Sequence, residues 1–338
     1  MKKLVFIISL LLFQLSYGQL LKAKVVDENN EPITSAEVYF DGTTVGVITN
    51  LEGEFRIEKP DNLTNPTLVI MSLGYESIYI SDVQKFKEVY QLKRNAIKLD
   101  VVNIIDSPFS RDEMMKVFKK YFVGATKHAK YCEIINPADV HVYYKKNDKT
   151  LYAKSENPIF IQNNYLGYKI RFDLKVFKVE YSKFSLEEKD FNESFYAGYS
   201  FFEDTNPLRK KLRDKVYFSS LNYFLKALVE DKLDLTNFYV GHNGEVIDAN
   251  DIFEIEPLEN NLFEVSLKST IQNTDNGKYL PSTVILVHKN DLSNIIFKTP
   301  GITIDQYGNN LDFNDIRLKG ELSEYRIARM LPSNYEPN

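Results

Sequence analysis

Between residues 20 and 105 apolar and polar positions alternate in short runs separated by turn residues. Leu21, Ala23 and Val25 alternate with Lys22 and Lys24, the mark of a half-buried strand. The polar run Asp27-Glu28-Asn29-Asn30-Glu31-Pro32 turns the chain, and residues 36–40 form the next strand with Val38 and Phe40 on one face. Asp41-Gly42-Thr43-Thr44 turns again before a return strand over residues 45–49. Asn50-Leu51-Glu52-Gly53 is a tight connection in which Gly53 can take a positive φ, and Phe55 and Ile57 then point inward. Leu68–Met71 is apolar on both faces and is expected to be central, followed by strands over residues 75–80, 89–92 and 97–105. About seven short strands with regular turns predict a β-sandwich over residues 20–105, a length that can bury one modest core.

The pattern changes after residue 105. Ser110 starts a helix with a capping box, because Glu113 stands three residues on, and Met114, Met115, Phe118, Tyr121, Phe122 and Ala125 fall at helical spacing. Strand-like runs follow at residues 140–144, 151–153 and 159–162. In the strongest, residues 168–176, Tyr168, Ile170, Phe172, Leu174 and Val176 face one way while Lys169, Arg171, Asp173 and Lys175 face the other. Asn206-Pro207 opens a second helix, with Leu208, Leu212 and Val216 on its apolar face. Leu221, Phe224, Leu225, Leu228 and Val229 form a further helical set after Ser219-Ser220. Strands are expected at residues 238–240, 245–247, 263–267, 283–288, 294–297 and 317–326. The fold class is therefore mostly β with α+β character. A seven-stranded sandwich precedes an α+β domain, residues 106–338, with a largely antiparallel sheet and a few helices.

The leading segment changes the expected compartment. Lys2 and Lys3 precede an apolar stretch over residues 4–15 interrupted only by Ser9 and Gln14, and Ser16-Tyr17-Gly18 places small residues at −3 and −1 of a cut before Gln19. Residues 1–18 thus read as a secretory signal peptide, too short to span a bilayer comfortably. Cys132, the single cysteine, stands far from the expected cut, so neither lipid anchoring nor an internal disulfide is expected. No later apolar run reaches the ~18 residues of a membrane helix. Removing Lys2 and Lys3 moves the net charge from −5 to −7, which gives no reason to expect nucleic acid.

Candidate chemistry is sparse. His242-Asn243-Gly244-Glu245 contains a His-x-x-Glu pair like the zinc pair of metallocarboxypeptidases, and His288 is the only later histidine that could complete it. Asn-Gly between Tyr239-Val240 and Val246-Ile247 is at the same time a hairpin signal that accounts for these residues without metal. The remaining histidines, His128 and His141, show no ligand spacing with the pair. Arg209, Lys210, Lys211, Arg213 and Lys215 form a basic cluster that reads as a solvated helix face before an anion site. Glu187, Glu188 and Asp190 read as loop acids, not as a catalytic pair, and Tyr196, Tyr199, Phe201 and Phe202 read as packing residues, not as a sugar platform. No phosphate-cradling glycine loop, nucleophile elbow or Cys-x-x-Cys is present. Neither catalytic residues nor a cofactor nor a metal is therefore assigned.

Val25-Val26-Asp27, Pro32, Ala36-Glu37-Val38, Gly42-Thr43, Gly46, Thr49-Asn50 and Gly53-Glu54-Phe55 together resemble the carboxypeptidase regulatory-like domain, and Ile97-Lys98-Leu99-Asp100-Val101-Val102 is similar to the way such domains close. Ala23 stands where the family often has Gly, and Asn50 where it often has Asp. The resemblance covers about a quarter of the chain. It implies a transthyretin-like β-sandwich of the kind found at the front of outer-membrane receptors, a structural or interaction module without catalytic residues. Leu166-Gly167-Tyr168 and Leu331-Pro332-Ser333-Asn334-Tyr335 are similar to recurring pieces of envelope proteins that join this sandwich to an uncharacterised second domain. The expectation is a non-enzymatic envelope protein in the periplasm or associated with the outer membrane, the cell surface being the further alternative. An envelope protein or polysaccharide is the expected partner. A zinc hydrolase built on His242 and Glu245, or an outer-membrane barrel formed by the second part, stand as alternatives.

Overall fold

The computed structural model describes residues 19–82, 85–95, 108–275, 278–311 and 314–338. The expected signal segment and the strand expected over residues 97–105 lie outside the described residues. The chain divides into two compact units, Met1–Asp100 and Val101–Asn338.

In the first unit the expected strands form as β1 (Leu20–Val26), β2 (Glu37–Phe40), β3 (Gly46–Ile48), β4 (Glu54–Glu58), β5 (Leu68–Met71), β6 (Ile78–Ile80) and β7 (Val89–Gln91). They make two sheets, ordered β4-β1-β7 and β3-β2-β5-β6, with β1 and β7 parallel and the other pairs antiparallel. One core fills the sandwich, from Leu21, Val25, Val38, Phe40, Phe55, Ile57, Leu68 and Ile70. Because β5 lies between β2 and β6, its run Leu68–Met71 is buried at every position. The connections are held by short side-chain acceptors. Asp27 accepts from the backbone N–H of Asn29 (2.8 Å) and Glu31 (2.9 Å), and these bonds hold its carboxyl below its usual range. Asn50 does the same for Glu52 and Glu54, so the amide at this position keeps the turn.

The second unit begins with α1 (Arg111–Phe122), whose capping box forms as expected. The Glu113 N–H donates to Ser110 Oγ (3.3 Å), and the Ser110 N–H donates back to the Glu113 carboxylate (2.8 Å). Met114, Met115, Phe118 and Phe122 are buried; Ala125 falls beyond the helix end. The strands beneath are β8 (Cys132–Ile134), β9 (Val140–Lys145), β10 (Thr150–Ser155), β11 (Ile159–Asn163), β12 (Tyr168–Tyr181) and β13 (Phe191–Asp204). β12 organises them: one edge pairs with β11 and then β10, and the other pairs with β13 along its length. β8 and β9 extend the two branches. Phe118 and Phe122 pack on Phe177 and Phe172, with centroids 4.8 and 5.1 Å apart.

One sequence expectation fails along this hairpin. The register shifts between Leu174 and Val176, a β-bulge, so Val176 is 42% exposed while Phe177 is buried. Val176 therefore does not share the face of Tyr168, Ile170, Phe172 and Leu174. Arg171 lies on the opposite face as expected but is buried there, and that burial pushes its pKa down to about 10. β13 itself was not expected, because Phe195-Tyr196-Ala197-Gly198-Tyr199 carries no alternation for a period of two to reveal.

α2 (Lys210–Tyr217) follows a 3₁₀ turn, Pro207–Arg209, at which Asn206 caps the N–H of Leu208 (3.2 Å). The expected apolar face holds only in part: Val216 is buried, but Leu208 is 92% exposed, and the helix also buries Arg213, expected among the solvated basic residues. α3 (Leu221–Val229) buries Phe224, Leu225 and Leu228 as its spacing predicted, with Ala227 besides, and is capped by Ser220. Then come β14 (Phe238–His242), β15 (Glu245–Ile247), α4 (Ala249–Ile252), β16 (Phe253–Pro257), β17 (Leu262–Leu267), β18 (Asn273–Asp275), β19 (Lys278–Leu280), β20 (Ser282–His288), β21 (Asp291–Phe297), β22 (Gly301–Asp305) and β23 (Ile316–Gly320). They form a five-stranded sheet β15-β14-β20-β21-β23, a three-stranded sheet β16-β17-β22 and the ribbon β18-β19, all antiparallel. The strand expected over residues 317–326 stops at Gly320 and gives way to a 3₁₀ turn, Glu321–Glu324.

The second unit has the expected α+β, antiparallel character, with its strands divided among several sheets around two cores. α1 and the six-stranded sheet enclose the first, and α3 with the five- and three-stranded sheets encloses the second. A short segment, residues 321–330, enters both: Leu322 belongs to the second core, Ile327 and Ala328 to the first.

Candidate functional site

The constellations singled out in the sequence resolve into structural contacts. Asn243 (φ 51°) and Gly244 (φ 89°) make the tight turn between β14 and β15, with His242 paired directly opposite Glu245. The ring Nδ1 of His242 lies 3.2 Å from the Thr283 carbonyl oxygen. His288 pairs with Phe238 at the other end of β14 and stacks on its ring at 4.5 Å, so it is not brought to His242. Among the described residues no group of three or more His, Cys, Asp or Glu side chains could hold a metal ion.

The basic cluster is divided by α2. Arg213 is buried, donates to both Asp204 carboxylate oxygens (2.7 and 2.8 Å), and donates to the carbonyls of Leu166, Gly167 and Asn206. Those bonds hold the Asp204 carboxyl below its usual range. The guanidinium also lies 3.8 Å over the Tyr168 ring, and Lys210 stands over Tyr335 at 4.5 Å. Tyr335 donates to Asp214 (2.6 Å); burial and then the neighbouring carboxylate raise its pKa. Leu166-Gly167-Tyr168 and Tyr335, far apart in sequence, therefore meet on α2, and the arginine between them is fully engaged.

The acids are separate as well. Glu187 pairs with Lys189 (2.6 Å), Glu188 with Lys120 (2.9 Å), and Asp190 with Lys183 (3.5 Å). Tyr196 packs on Phe122 and Phe172 beneath α1. Burial pushes the Cys132 thiol up to about 12, away from thiolate reactivity.

Sequence reasoning missed a polar cluster that lies between the two cores. Ser219, Phe238, Leu286, His288, Asp291, Ser293, Glu321, Leu322 and Tyr325 line a small solvent-open depression. Tyr325 donates to Ser219 Oγ (2.6 Å), and the Leu322 N–H donates to Ser293 Oγ (3.0 Å). Arg329 donates to Glu321 and to the Tyr325 hydroxyl, with its guanidinium 3.6 Å over the Tyr325 ring. On the other core, Ala328 N–H donates to the Val123 carbonyl (3.0 Å), and the Asn163 amide donates to the carbonyls of Ile327 and Ala328 (3.2 Å each). Burial, then the charges of Lys289 and Arg329, lowers the His288 pKa, while Asp291 opposes them. His128 stacks on Tyr165 at 4.3 Å and is lowered by burial and then by Arg329. Burial raises the Tyr325 hydroxyl. Neutral imidazoles and a protonated phenol around a paired arginine make a cross-brace. The only sequence signal was Gly320, a break inside the expected strand.

Among the described residues no helix is long and apolar enough to cross a membrane. No curated protein matches the chain. Among solved structures, a 9R-lipoxygenase from Cyanothece PCC8801 aligns with 94% of this chain at 12% identity and a TM-score of 0.17, which carries no argument; the chain spans 46% of that protein's length. Residues 21–104, where the sandwich strands lie, match the family model of the CarboxypepD_reg-like domain, and a second domain follows it.

Proposed function

We propose that the protein is exported to the cell envelope and acts there as a structural or binding component without catalytic activity of its own. The observation that carries this reading is the match of residues 21–104 to the CarboxypepD_reg-like domain, which suggests a binding or structural role. The apolar segment over residues 4–15, with small residues ahead of Gln19, supports export. The engagement of Arg213, Asp204 and Arg329 in internal bonds supports a scaffold over a reaction centre. Fractionation of native cells with sequencing of the mature N-terminus tests export. The expected result is an envelope protein starting at Gln19; a cytosolic protein retaining Met1 would overturn it. Elemental analysis tests the absence of metal chemistry: no stoichiometric zinc is expected. Zinc that is lost in His242→Ala would replace this reading with a metallohydrolase.

A further inference from the structure

The helix α2 buries Arg213 and Val216 and presents two unlike sides around them. On one side Lys210 stands over Tyr335, and Asp214 accepts from the Tyr335 hydroxyl (2.6 Å), so the C-terminal segment takes up both. On the other side Leu208, Lys211, Lys215 and Phe218 recur at intervals of three, four and three residues, which places them in one stripe. All four are exposed, Leu208 at 92% and Phe218 at 39%. The stripe is about 15 Å long, with a large apolar residue at each end and two lysines between.

Charge on this stripe has one sign. The acids beside it are engaged elsewhere: Asp204 by Arg213, Asp214 by Tyr335, and Glu230, which acts on Tyr217, by Lys226 (3.4 Å) and Lys232 (3.1 Å). The positive field continues beyond α2. Burial and then Arg329 lower the pKa of His128; Lys127 and Lys215 add to this, and Glu321 opposes it, so lysines from two elements converge on one ring. Lys127 and Lys130 are exposed, and Lys130 lies 5.0 Å over the ring of Tyr131, itself 48% exposed. Such a cationic patch, on a chain of net charge −5, is complementary to a fixed anionic surface.

We propose that the outward stripe of α2, together with Lys127 and Lys130, docks the protein reversibly on a bilayer that carries anionic lipid headgroups. The lysines meet the phosphates, while Leu208 and Phe218 dip into the boundary between headgroups and acyl chains. Two features select lipid. An aliphatic side chain exposed on all sides gains by entering an apolar phase, which a hydrated acidic polysaccharide does not offer. A stripe about 15 Å long and about 10 Å wide gives roughly 150 Å², far short of the roughly 800 Å² per partner of a specific protein interface. Each lysine near an anionic bilayer contributes about a five-fold gain in binding, and salt screens it. The inference deepens the proposed envelope role and rests on it only for where the membrane is met.

Co-sedimentation with vesicles tests the docking, using the protein in the processed form that cells hold. Binding to vesicles of phosphatidylglycerol with phosphatidylethanolamine is expected, weakening as salt rises, and none to phosphatidylcholine alone. No binding to the anionic vesicles, or equal binding to both kinds, would overturn the inference. Lys211→Glu with Lys215→Glu should lower the binding constant at least about ten-fold while the circular dichroism spectrum stays unchanged. Binding at wild-type strength would remove α2 as the docking element. Should the double reversal lose its fold, Lys211→Gln carries the same test with a loss of about five-fold. Leu208→Ser should weaken vesicle binding several-fold; undiminished binding would reject insertion into lipid. Alginate, an acidic polysaccharide, should displace the protein no better than salt of the same ionic strength, and specific displacement would reassign the patch to polysaccharide. Variants and wild type carry the same leading residues, so residues 4–15 cannot produce these differences. A cytosolic location would overturn the envelope role and leave vesicle binding untouched, so the two readings fail separately.

Discussion

The six-stranded sheet of the second unit is covered on one face by α1 and on the other sets Lys169, Asp173, Lys178 and Glu180 among the rings of Tyr143, Tyr152, Phe160 and Phe201, whereas the five-stranded sheet fills a core with one face and turns Tyr239, Val246 and Leu292 outward beside Asn294 and Lys319. Both sheets obey the same period of two. What differs is the make-up of the outer parity: long charged side chains lie over aromatic rings on the first sheet, as Lys169 does over Phe160 and Lys145 over Tyr152, while the second carries mainly aliphatic residues. The comparison teaches that alternation fixes which residues share a face, while composition of that face decides whether the sheet needs a cover.

The comparison can be broken most strongly at the helix–sheet contact. Phe118 stacks on Phe122 at 4.9 Å and meets Phe177 at 4.8 Å, so Phe118→Ala should cost about 3–5 kcal/mol in equilibrium denaturation. A loss below about 1 kcal/mol would mean that α1 is not the cover of that sheet. Next comes the β12–β13 hairpin. A Cβ on Gly198 would stand 2.3 Å from the Asp173 carbonyl oxygen and 2.6 Å from the Phe172 ring, beside the bulge. Gly198→Ala should therefore cost about 1–3 kcal/mol by the same measurement, through overpacking.

A smaller effect is expected from acid. His128 and His288 have lowered pKa values in the folded protein and ordinary ones when unfolded. Below a pH of about 6.5 the unfolded chain therefore binds more protons, and stability falls as pH drops from there toward the folded pKa values. The fall in Tm between about pH 7.5 and about pH 5.5 should be smaller in the double variant His128→Gln with His288→Gln. An unchanged fall would place the acid response elsewhere. The smallest effect belongs to the outer apolar face. Leu292→Thr should change the stability by no more than about 0.5 kcal/mol, because the side chain is exposed.

Most of the first unit was legible because its strands are short, its turns carry Asp, Asn and Gly at fixed places, and both parities are distinct at Val38, Phe40, Phe55 and Ile57. α1 and α3 were legible for the same reason: caps at Ser110 and Ser220 and apolar spacing agree. β13 was not, since aromatic residues fill consecutive positions and a half-buried face at every residue erases the period. Val176 was misplaced because a bulge inserts one residue without any signature in the run itself. The burial of Arg213 and the partial burial of Arg329 were invisible: only tertiary partners, Asp204 and the carbonyls for one, Glu321 and Tyr325 for the other, make them tolerable. The brace around Tyr325 assembles from segments more than 100 residues apart, beyond the reach of any local pattern.

The segment carrying Leu322, Ile327 and Ala328 sets an order of assembly. Among the described residues the core of the sandwich lies between Leu21 and Leu92, so this unit can fold while the ribosome is still working on the rest. Neither half of the later portion can close until residues 322–328 have emerged, because each half lacks a plug that only this piece supplies. Synthesis therefore leaves two unfinished hydrophobic interiors waiting together, and a single late stretch seals both.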